Sequence, residues 1–287
     1  MKRSFFPGSE WVYIKLYTSE YSSNKILLRI YSLINQSQLL KTIILKYFFV
    51  RYNDPDHHIR FRFLLSCNSE IGGLLSVIYP LFNELETKNE IWKIQFDTYF
   101  REMERYDISL IELFESMFYF DSVCTLKMIS IIPETYEDGW LYSILMVDSI
   151  LSDFNLCVEE KRDLMFNLSE NTKYRYNYTQ YNRKQLNEIY RLNKNKILKV
   201  FNFCNGVIDN DINKIINERS KSNVNLIAAS NLRTLNYNSS ELMSYIHMSM
   251  NRYFKTSNNI YELIIYDFLY RYYCSSIARN NIKNEIS

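Results

Sequence analysis

The chain has 287 residues, 47% hydrophobic and 23% charged, which is the composition of a globular protein long enough to bury a core. Its formal net charge of +2 gives no argument for binding nucleic acid or an anionic membrane by bulk charge. No apolar run reaches the roughly 20 residues that span a bilayer, and the N-terminal MKRSFFPGSEW lacks the apolar core of a signal peptide. We therefore expect a cytoplasmic protein without a membrane span.

Strand and helix patterns alternate in the first part of the chain. Their order, β-α-β-β-α-β, is typical of a ferredoxin-like antiparallel sheet with two helices on one face. The predicted elements are a strand over 11–19, a helix over 24–40, strands over 46–52 and 57–65 joined by Asn-Asp-Pro-Asp, a helix over 69–86 with Ser69 as N-cap, and a strand over 91–100.

From residue 107 onward apolar residues recur at helical spacing, including a long stretch over 182–219, and no segment has a convincing strand pattern. No linker rich in Gly, Pro or Ser separates the two parts. We therefore predict one α+β domain over 1–287, in which a sheet-containing half (1–106) packs against a helical layer (107–287).

The cysteines give no sign of a disulfide framework or a metal site, because they are odd in number and widely spaced without a Cys-x-x-Cys pair. We expect buried, reduced thiols and no cofactor. The five are Cys67, Cys124, Cys157, Cys204 and Cys274.

One predicted strand is rich in basic residues. In HHIRFRFLL (57–65) alternate residues share a face, so His58, Arg60 and Arg62 point away from the apolar Ile59, Phe61 and Phe63. The same alternation groups Tyr13, Lys15 and Tyr17, then Tyr47, Phe49 and Arg51, and then Lys93, Gln95, Asp97, Tyr99 and Arg101. The polar face could simply be solvated. If the helical half covers it, the arginines line a cleft suited to carboxylates or phosphates.

Two further groups of residues are candidates. Glu102 precedes Arg105 by three positions, the spacing of an ordinary ion pair on a helix. His247 lies in an otherwise apolar helical pattern, where a histidine is more often structural than catalytic, although its ordinary pKa near neutrality also suits a general acid or base.

Five motifs in order resemble one family: W-x-Y-x-K-x-Y, F-F-x-R-Y-x-D-P-x-x-H-x-R-x-R, Y-x-R-E-x-E-R-Y, E-x-x-F-x-x-D-S and H-M-x-x-N-R. Together, from Trp11 to about Arg271, the chain resembles the C-terminal elimination domain of class I lantibiotic dehydratases and related stand-alone thiopeptide-type bacteriocin biosynthesis proteins. The family has Gly-Gly where this chain has Asp107-Ile108.

The resemblance implies a lyase without a cofactor. A glutamyl-tRNA-dependent partner enzyme would esterify Ser or Thr of a ribosomally made precursor peptide, and this chain, as one subunit of a split system, would eliminate glutamate. By motif position the catalytic residues would be Arg62, Glu102, Arg105 and His247, which we expect to converge in one cavity. The implied substrate-binding residues are His58, Arg60, Arg51, Tyr99, Asn251 and Arg252.

Other functions remain open on the sequence. A thiopeptide pyridine synthase, which joins two dehydroalanines and releases the leader peptide, shares the family's fold. A non-catalytic subunit would only bind the peptide or recruit the glutamylating partner. RNA binding is the weakest alternative, because IRFRF matches the RNP1 pattern poorly. Members of the family tend to dimerise, so a homodimer is an expectation from the resemblance alone.

Overall fold

Six strands lie in the first hundred residues, and the later segments are helical. The computed structural model describes residues 2–201, 207–230 and 240–286. The strands are β1 (Ser4–Phe5), β2 (Trp11–Thr18), β3 (Ile44–Asn53), β4 (His57–Leu65), β5 (Ile91–Asp97) and β6 (Tyr99–Phe100). The helices are α1 (Glu20–Gln36), α2 (Gln38–Ile43), α3 (Ile71–Thr87), α4 (Ile111–Ile131), α5 (Leu141–Asp153), α6 (Val158–Arg175), α7 (Gln180–Phe201), α8 (Val207–Ala229), α9 (Ser240–Tyr253) and α10 (Asn258–Ile286).

Four strands form one antiparallel sheet in the order β3-β4-β2-β5, and β1 pairs with β6 in a separate ribbon. The core lies on one face of this sheet. Ile14, Phe61 and Phe63 pack there against α1 and α3, which contribute Ile26 and Ile78 among others. The alternation of apolar residues along the strands therefore places the hydrophobic core on the helix-covered face.

Three boundaries differ from the prediction. The predicted helix over 24–40 is interrupted at Ser37. The Ser37 amide donates to the Leu33 carbonyl at the end of α1, and the Ser37 hydroxyl accepts from the Leu40 amide at the start of α2. Ser69 is not an N-cap, since it lies within a 3-10 turn and α3 begins at Ile71. The predicted strand over 91–100 breaks at Thr98, where the chain leaves the sheet to pair with β1.

The chain forms two compact units. The first comprises residues 1–131 and 251–256, and the second comprises 132–250 and 257–287. α4 belongs to the first unit although the sequence assigned it to the helical half. Its Phe118 and Tyr119 rings pack on Phe48 and Tyr47 of β3. The prediction of a single domain stays a prediction.

The second unit is helical throughout its described residues, as predicted. α6 packs along α10, where the rings of Phe166 and Tyr270 meet, and α5 packs on α8. A buried carboxylate, Asp153, accepts hydrogen bonds from Ser220 and Asn223 of α8. The predicted helical stretch over 182–219 includes residues 202–206, which lie outside the described residues.

The four described cysteines carry free thiols. The prediction of burial holds for Cys124 but is wrong for Cys67 and Cys157, which are exposed, while Cys274 is half-buried. Cys204 lies outside the described residues. In the described part of the chain, no helix has the length and apolar character needed to cross a bilayer.

β3 is an edge strand, and side chains rather than another strand satisfy its outer backbone groups. The amide of Phe49 donates to the Ser122 hydroxyl (3.3 Å), and its carbonyl accepts from Nε of Arg252 (2.9 Å). Asn251 bonds both backbone groups of Arg51, accepting from the amide (2.8 Å) and donating to the carbonyl (2.9 Å). These contacts protect an edge that would otherwise be open to pairing with another chain.

We predict that Arg252→Met destabilises the first unit strongly. Arg252 is 1% exposed and its guanidinium lies 3.1 Å from the fully buried Asp121 carboxylate. Removing one member of such a pair should lower the free energy of unfolding by about 3–5 kcal/mol, measured by urea denaturation.

Adding Asp121→Leu to Arg252→Met should restore most of the lost free energy of unfolding, because neither charge of the buried pair remains in the double variant. Lys88→Ala, which breaks only an exposed pair with Glu84, should leave the unfolding midpoint unchanged. A wild-type midpoint for Arg252→Met would contradict the role given to this residue.

Candidate functional site

The sheet face opposite the core is the arginine face, defined by His58, Arg60 and Arg62. The antiparallel register pairs these residues with Tyr17, Lys15 and Tyr13, respectively, on the same face. The prediction that the two arginines and the histidine share a face is therefore confirmed. Lys15 and Lys93 add cations to this face, and Asp97, which is ion-paired with Lys15, adds a carboxylate.

Arg62 is the buried arginine of the arginine face. It is 9% exposed, and its guanidinium carbon lies 4.5 Å from the ring centre of Tyr13, 4.9 Å from that of Tyr99 and 5.3 Å from that of Phe48. Within the described part of the chain no group accepts a hydrogen bond from its Nε and no carboxylate forms an ion pair with it. Among the described residues the contacts recorded for this cation are with aromatic rings, so its Nε–H could donate to an anion.

Arg60 is positioned by His58. Nδ1 of His58 lies 2.8 Å from the Asp56 carbonyl, and Nε2 accepts from Nε of Arg60 at 3.0 Å. The carbonyl can only accept and the guanidinium can only donate, so His58 is neutral with its proton on Nδ1. Burial lowers the pKa of His58, and the positive Arg60 adds to the effect, while the hydrogen bond to Asp56 partly offsets it. His58 thus orients Arg60, which also stacks on Tyr52 at 3.4 Å.

Three predicted substrate-binding residues make hydrogen bonds within the fold, and their role in binding substrate stays a prediction. Arg51 does not share the arginine face, because it pairs with Ile59 and therefore points to the opposite side of the sheet. It is 4% exposed, and its guanidinium donates to Ser23, Asn24 and the Arg252 carbonyl. The side chains of Asn251 and Arg252 bind the backbone of β3. These contacts hold the three side chains against β3 and α1.

Tyr99, also predicted to bind substrate, forms a hydrogen bond within the fold. Its hydroxyl donates to Glu115 at 2.8 Å, and burial together with the Glu115 charge raises the pKa of Tyr99 well above its ordinary range. Arg101 holds the same carboxylate through two hydrogen bonds of 2.7 and 2.8 Å. The hydroxyl of Tyr99 is therefore engaged within the protein, and its ring supports Arg62.

A pocket of about 500 Å³ opens on the arginine face. Leu64, the next residue of β4 on that face after Arg62, lines it together with Trp11 and Lys46. The Arg101–Glu115 pair also lines this pocket. The lining combines the cations Lys46 and Arg101 with the carboxylates of Glu10, Glu112 and Glu115, and Arg62 is not part of it.

Glu102 and Arg105 lie in a turn rather than on a helix. Their side chains are 55% and 53% exposed and pair at 3.2 Å, while the amides of Arg105 and Tyr106 both donate to the Glu102 carbonyl. Tyr106 is buried against Phe114 and anchors the turn. An exposed pair of this kind contributes little to stability, so both side chains can exchange partners when a ligand binds.

His247 lies on α9 in the second unit. Its side chain is 35% exposed, and its Nδ1 lies 2.7 Å from Oε1 of Glu262 on α10, a carboxylate that is nearly buried. Asn258 donates to the same oxygen at 2.8 Å. No sequence pattern indicated Glu262, which is fifteen residues from His247 on another helix. The convergence of His247 with the arginine face stays a prediction.

The family model for the C-terminal region of lantibiotic biosynthesis dehydratases matches residues 11–273. The nisin biosynthesis protein NisB of Lactococcus lactis subsp. lactis is 30% identical over 142 residues, 48% of this chain and 13% of that protein. The subtilin biosynthesis protein SpaB of Bacillus subtilis is 28% identical over 180 residues, 59% of this chain and 16% of that protein. The chain thus covers less than a fifth of either relative.

Solved structures share the fold at low sequence identity. The tRNA-dependent lantibiotic dehydratase MibB from Microbispora sp. 107891 matches with a TM-score of 0.73 at 16% identity, over 96% of this chain and 29% of that chain. The pyridine synthase TbtD from thiomuracin biosynthesis matches with a TM-score of 0.53 at 9% identity, over 92% of this chain and 99% of that chain.

We predict that Arg62 contributes little to stability despite its burial. Arg62→Met removes a cation that has no carboxylate partner, so it should change the free energy of unfolding by less than about 1 kcal/mol. Arg101→Met is the matched comparison, since it breaks a buried bidentate pair and should cost about 3–5 kcal/mol. Urea denaturation measures both, and equal losses would show that Arg62 is a structural residue.

We also predict that acidification weakens the fold through His58. Its pKa is depressed from 6.5 in the folded protein, so below about pH 6.5 the unfolded chain binds more protons and the free energy of unfolding falls as pH drops. In His58→Gln this fall should be shallower between about pH 7 and pH 5. Burial also lowers the pKa of His57, so part of the dependence of the free energy of unfolding on pH should remain in that variant. An unchanged slope in His58→Gln would contradict the prediction.

Proposed function

The chain belongs to the lantibiotic biosynthesis dehydratase C-terminal family, and from this membership we propose that it eliminates glutamate from glutamylated Ser and Thr residues of a precursor peptide. In this reaction a base removes the α-proton, the Cβ–O bond breaks, and glutamate leaves as its carboxylate. The product is dehydroalanine from Ser or dehydrobutyrine from Thr. The enzyme is a lyase that needs no redox step.

The observation that carries the proposal is the state of Arg62. A buried guanidinium without a carboxylate partner costs free energy, and the binding of an anion would offset that cost. The reaction contains two anions that such a group could bind, the leaving carboxylate and the enolate oxygen that develops when the α-proton is removed. A donor already desolvated beside aromatic rings stabilises developing charge more strongly than one in water.

The remaining roles follow from chemistry and motif position. Arg105, exposed in its turn, binds a second carboxylate of the glutamyl group, and Glu102 orients Arg105 or relays a proton. Arg60, oriented by His58, adds positive charge to the arginine face. His247 acts as the general acid or base, since its second ring nitrogen has no hydrogen bond from the described part of the chain.

The partners are proposed from the same chemistry. The substrate is a ribosomally made precursor peptide, and the ester has to be formed by a glutamyl-tRNA-dependent partner activity. The precursor peptide and the glutamyl-tRNA are both made in the cytoplasm, and we propose that the enzyme acts there. For the fold, we propose that the sheet is ferredoxin-like, because the strand order β3-β4-β2-β5 and the two helices packed on one face match that arrangement.

Pyridine synthesis is the second candidate, since the pyridine synthase TbtD shares the fold over most of this chain. That reaction joins two dehydroalanines into a ring and releases the leader peptide. It forms no glutamate, and so it gives Arg62 no leaving carboxylate to bind. The two reactions give products of different mass and connectivity.

We predict that the purified protein converts a synthetic peptide with one glutamyl-Ser ester to its dehydroalanine form, detected by mass spectrometry as the loss of glutamate. His247→Ala should slow the reaction about 10²-fold or more, since acid–base catalysis contributes about 10²–10⁴-fold. Arg62→Met should slow it by about 10²–10³-fold, the loss typical of one anion-stabilising donor. Both variants should leave the glutamyl adduct intact.

Lys88→Ala, at the exposed C-terminal end of α3, which packs on the sheet face opposite the arginine face, is the control and should retain the wild-type rate. Full elimination by His247→Ala or Arg62→Met would remove that residue from the mechanism. Macrocyclisation of a bis-dehydroalanine peptide with leader release, without elimination, would instead identify a pyridine synthase. Tight peptide binding without either reaction would identify a non-catalytic subunit.

A further inference from the structure

We propose that Glu262 is a positioning residue for His247, holding the imidazole with its proton on Nδ1 so that Nε2 faces the reaction with a free lone pair. The catalytic part of this inference rests on the proposed elimination of glutamate. The structural part, the control of the imidazole tautomer, stands independently of it.

The carboxylate is itself fixed before it contacts His247. Glu262 is 6% exposed on α10, and Asn258, one turn earlier on the same helix, donates to Oε1 at 2.8 Å. The Glu262 charge also adds to burial in raising the pKa of Tyr266, one turn later, well above its ordinary range. A buried carboxylate with a fixed donor has little freedom to rotate away from the imidazole.

The contact determines the tautomer of His247. An ionised carboxylate can only accept, so the 2.7 Å contact with Oε1 requires the proton to lie on Nδ1. In the described part of the chain no group forms a hydrogen bond with Nε2, and the side chain is 35% exposed. His247 is therefore oriented on one side and accessible on the other.

This arrangement serves an acid or a base equally well. When Nε2 takes a proton, the imidazolium that forms is stabilised by the Glu262 carboxylate on the opposite side of the ring. A fixed orientation also removes the freedom of the ring to rotate away from the substrate. Glu262 does not contact the reacting atoms in this scheme, so its effect should appear in kcat and not in KM.

Nitrogen-15 NMR of the imidazoles tests the structural part directly. The chain has only three histidines, so the His247 signals are assigned by their loss in His247→Gln. At a pH where the ring is neutral, wild type should show the Nδ1-protonated form, and Glu262→Ala should shift His247 toward the Nε2-protonated form. An unchanged tautomer in Glu262→Ala overturns the proposal.

Elimination kinetics with the glutamyl-Ser peptide test the catalytic part. Glu262→Ala should lower kcat roughly 10- to 100-fold with KM nearly unchanged, a loss within the ~10²–10⁴-fold that acid–base catalysis supplies. In a His247→Ala background the same substitution should have no further effect, because Glu262 acts through the imidazole. A tautomer shift without loss of kcat overturns the positioning role.

Two further variants are controls for a general loss of structure. Glu262→Gln keeps an oxygen that can accept from Nδ1, so it should preserve the tautomer while losing only the stabilisation of the imidazolium, with a smaller loss of kcat. Asp267→Asn removes another buried carboxylate of α10, paired with Lys173 and Arg271, and should leave the His247 tautomer unchanged. An altered tautomer in Asp267→Asn would show that the effect is not specific to Glu262.

The two proposals can fail separately. If wild type shows the Nδ1-protonated tautomer and Glu262→Ala loses it, but no variant eliminates glutamate, the proposed function is wrong and the Glu262 contact stands. If wild type eliminates glutamate and Glu262→Ala does so at the same rate, the proposed function stands and the positioning role is wrong.

Discussion

The burial of one guanidinium without an opposing carboxylate is the constraint on which this account depends. Phe61 and Phe63 belong to the core, and because neighbouring residues of a strand point to opposite faces, Arg62 between them has to leave the core side. On that side β2, β3 and β6 each present an aromatic ring to it, from Tyr13, Phe48 and Tyr99. The packing of the sheet thus keeps a largely buried cation that has no ion-pair partner among the described residues.

Other buried cations of the first unit show what a structural arginine requires. Arg101 is held by both oxygens of Glu115, and Arg252 by Asp121 and a backbone carbonyl of β3. Arg51 donates to three acceptors. In each case the charge or the donors are satisfied within the fold. Arg62 differs from all three in this respect, since its Nε has no hydrogen-bond acceptor among the described residues, and this difference is the basis of the binding role proposed for it.

The faces of β2, β4 and β5 were predictable because a strand alternates with period two and each segment has a clear apolar side. The face of β3 was not. Its side chains are placed by the register with β4, in which Asn53 pairs with His57, so Arg51 pairs with Ile59 and turns to the core side. That register depends on the geometry of the intervening turn, which a residue pattern does not determine.

The partners of the candidate residues were less predictable than the residues themselves. Motif order selected Arg62 and His247, but the aromatic rings around Arg62 come from three strands, and Glu262 meets His247 across two helices. Such contacts depend on tertiary packing and have no characteristic spacing in the chain. For the same reason the sequence did not show that Asn251 and Arg252 bind the backbone of an edge strand.

Calorimetric titration with a non-reacting substrate analogue tests the role of Arg62 most directly. The analogue is a peptide in which a glutamyl amide replaces the glutamyl ester, so that it binds but cannot eliminate, and the same peptide without the glutamyl group is the control. Wild type should bind the glutamylated peptide at least about tenfold more tightly than Arg62→Met does, a loss of roughly 1.4 kcal/mol, with equal affinities for the control peptide. Equal affinity of both proteins for the glutamylated peptide would contradict the claim that Arg62 binds the acidic group.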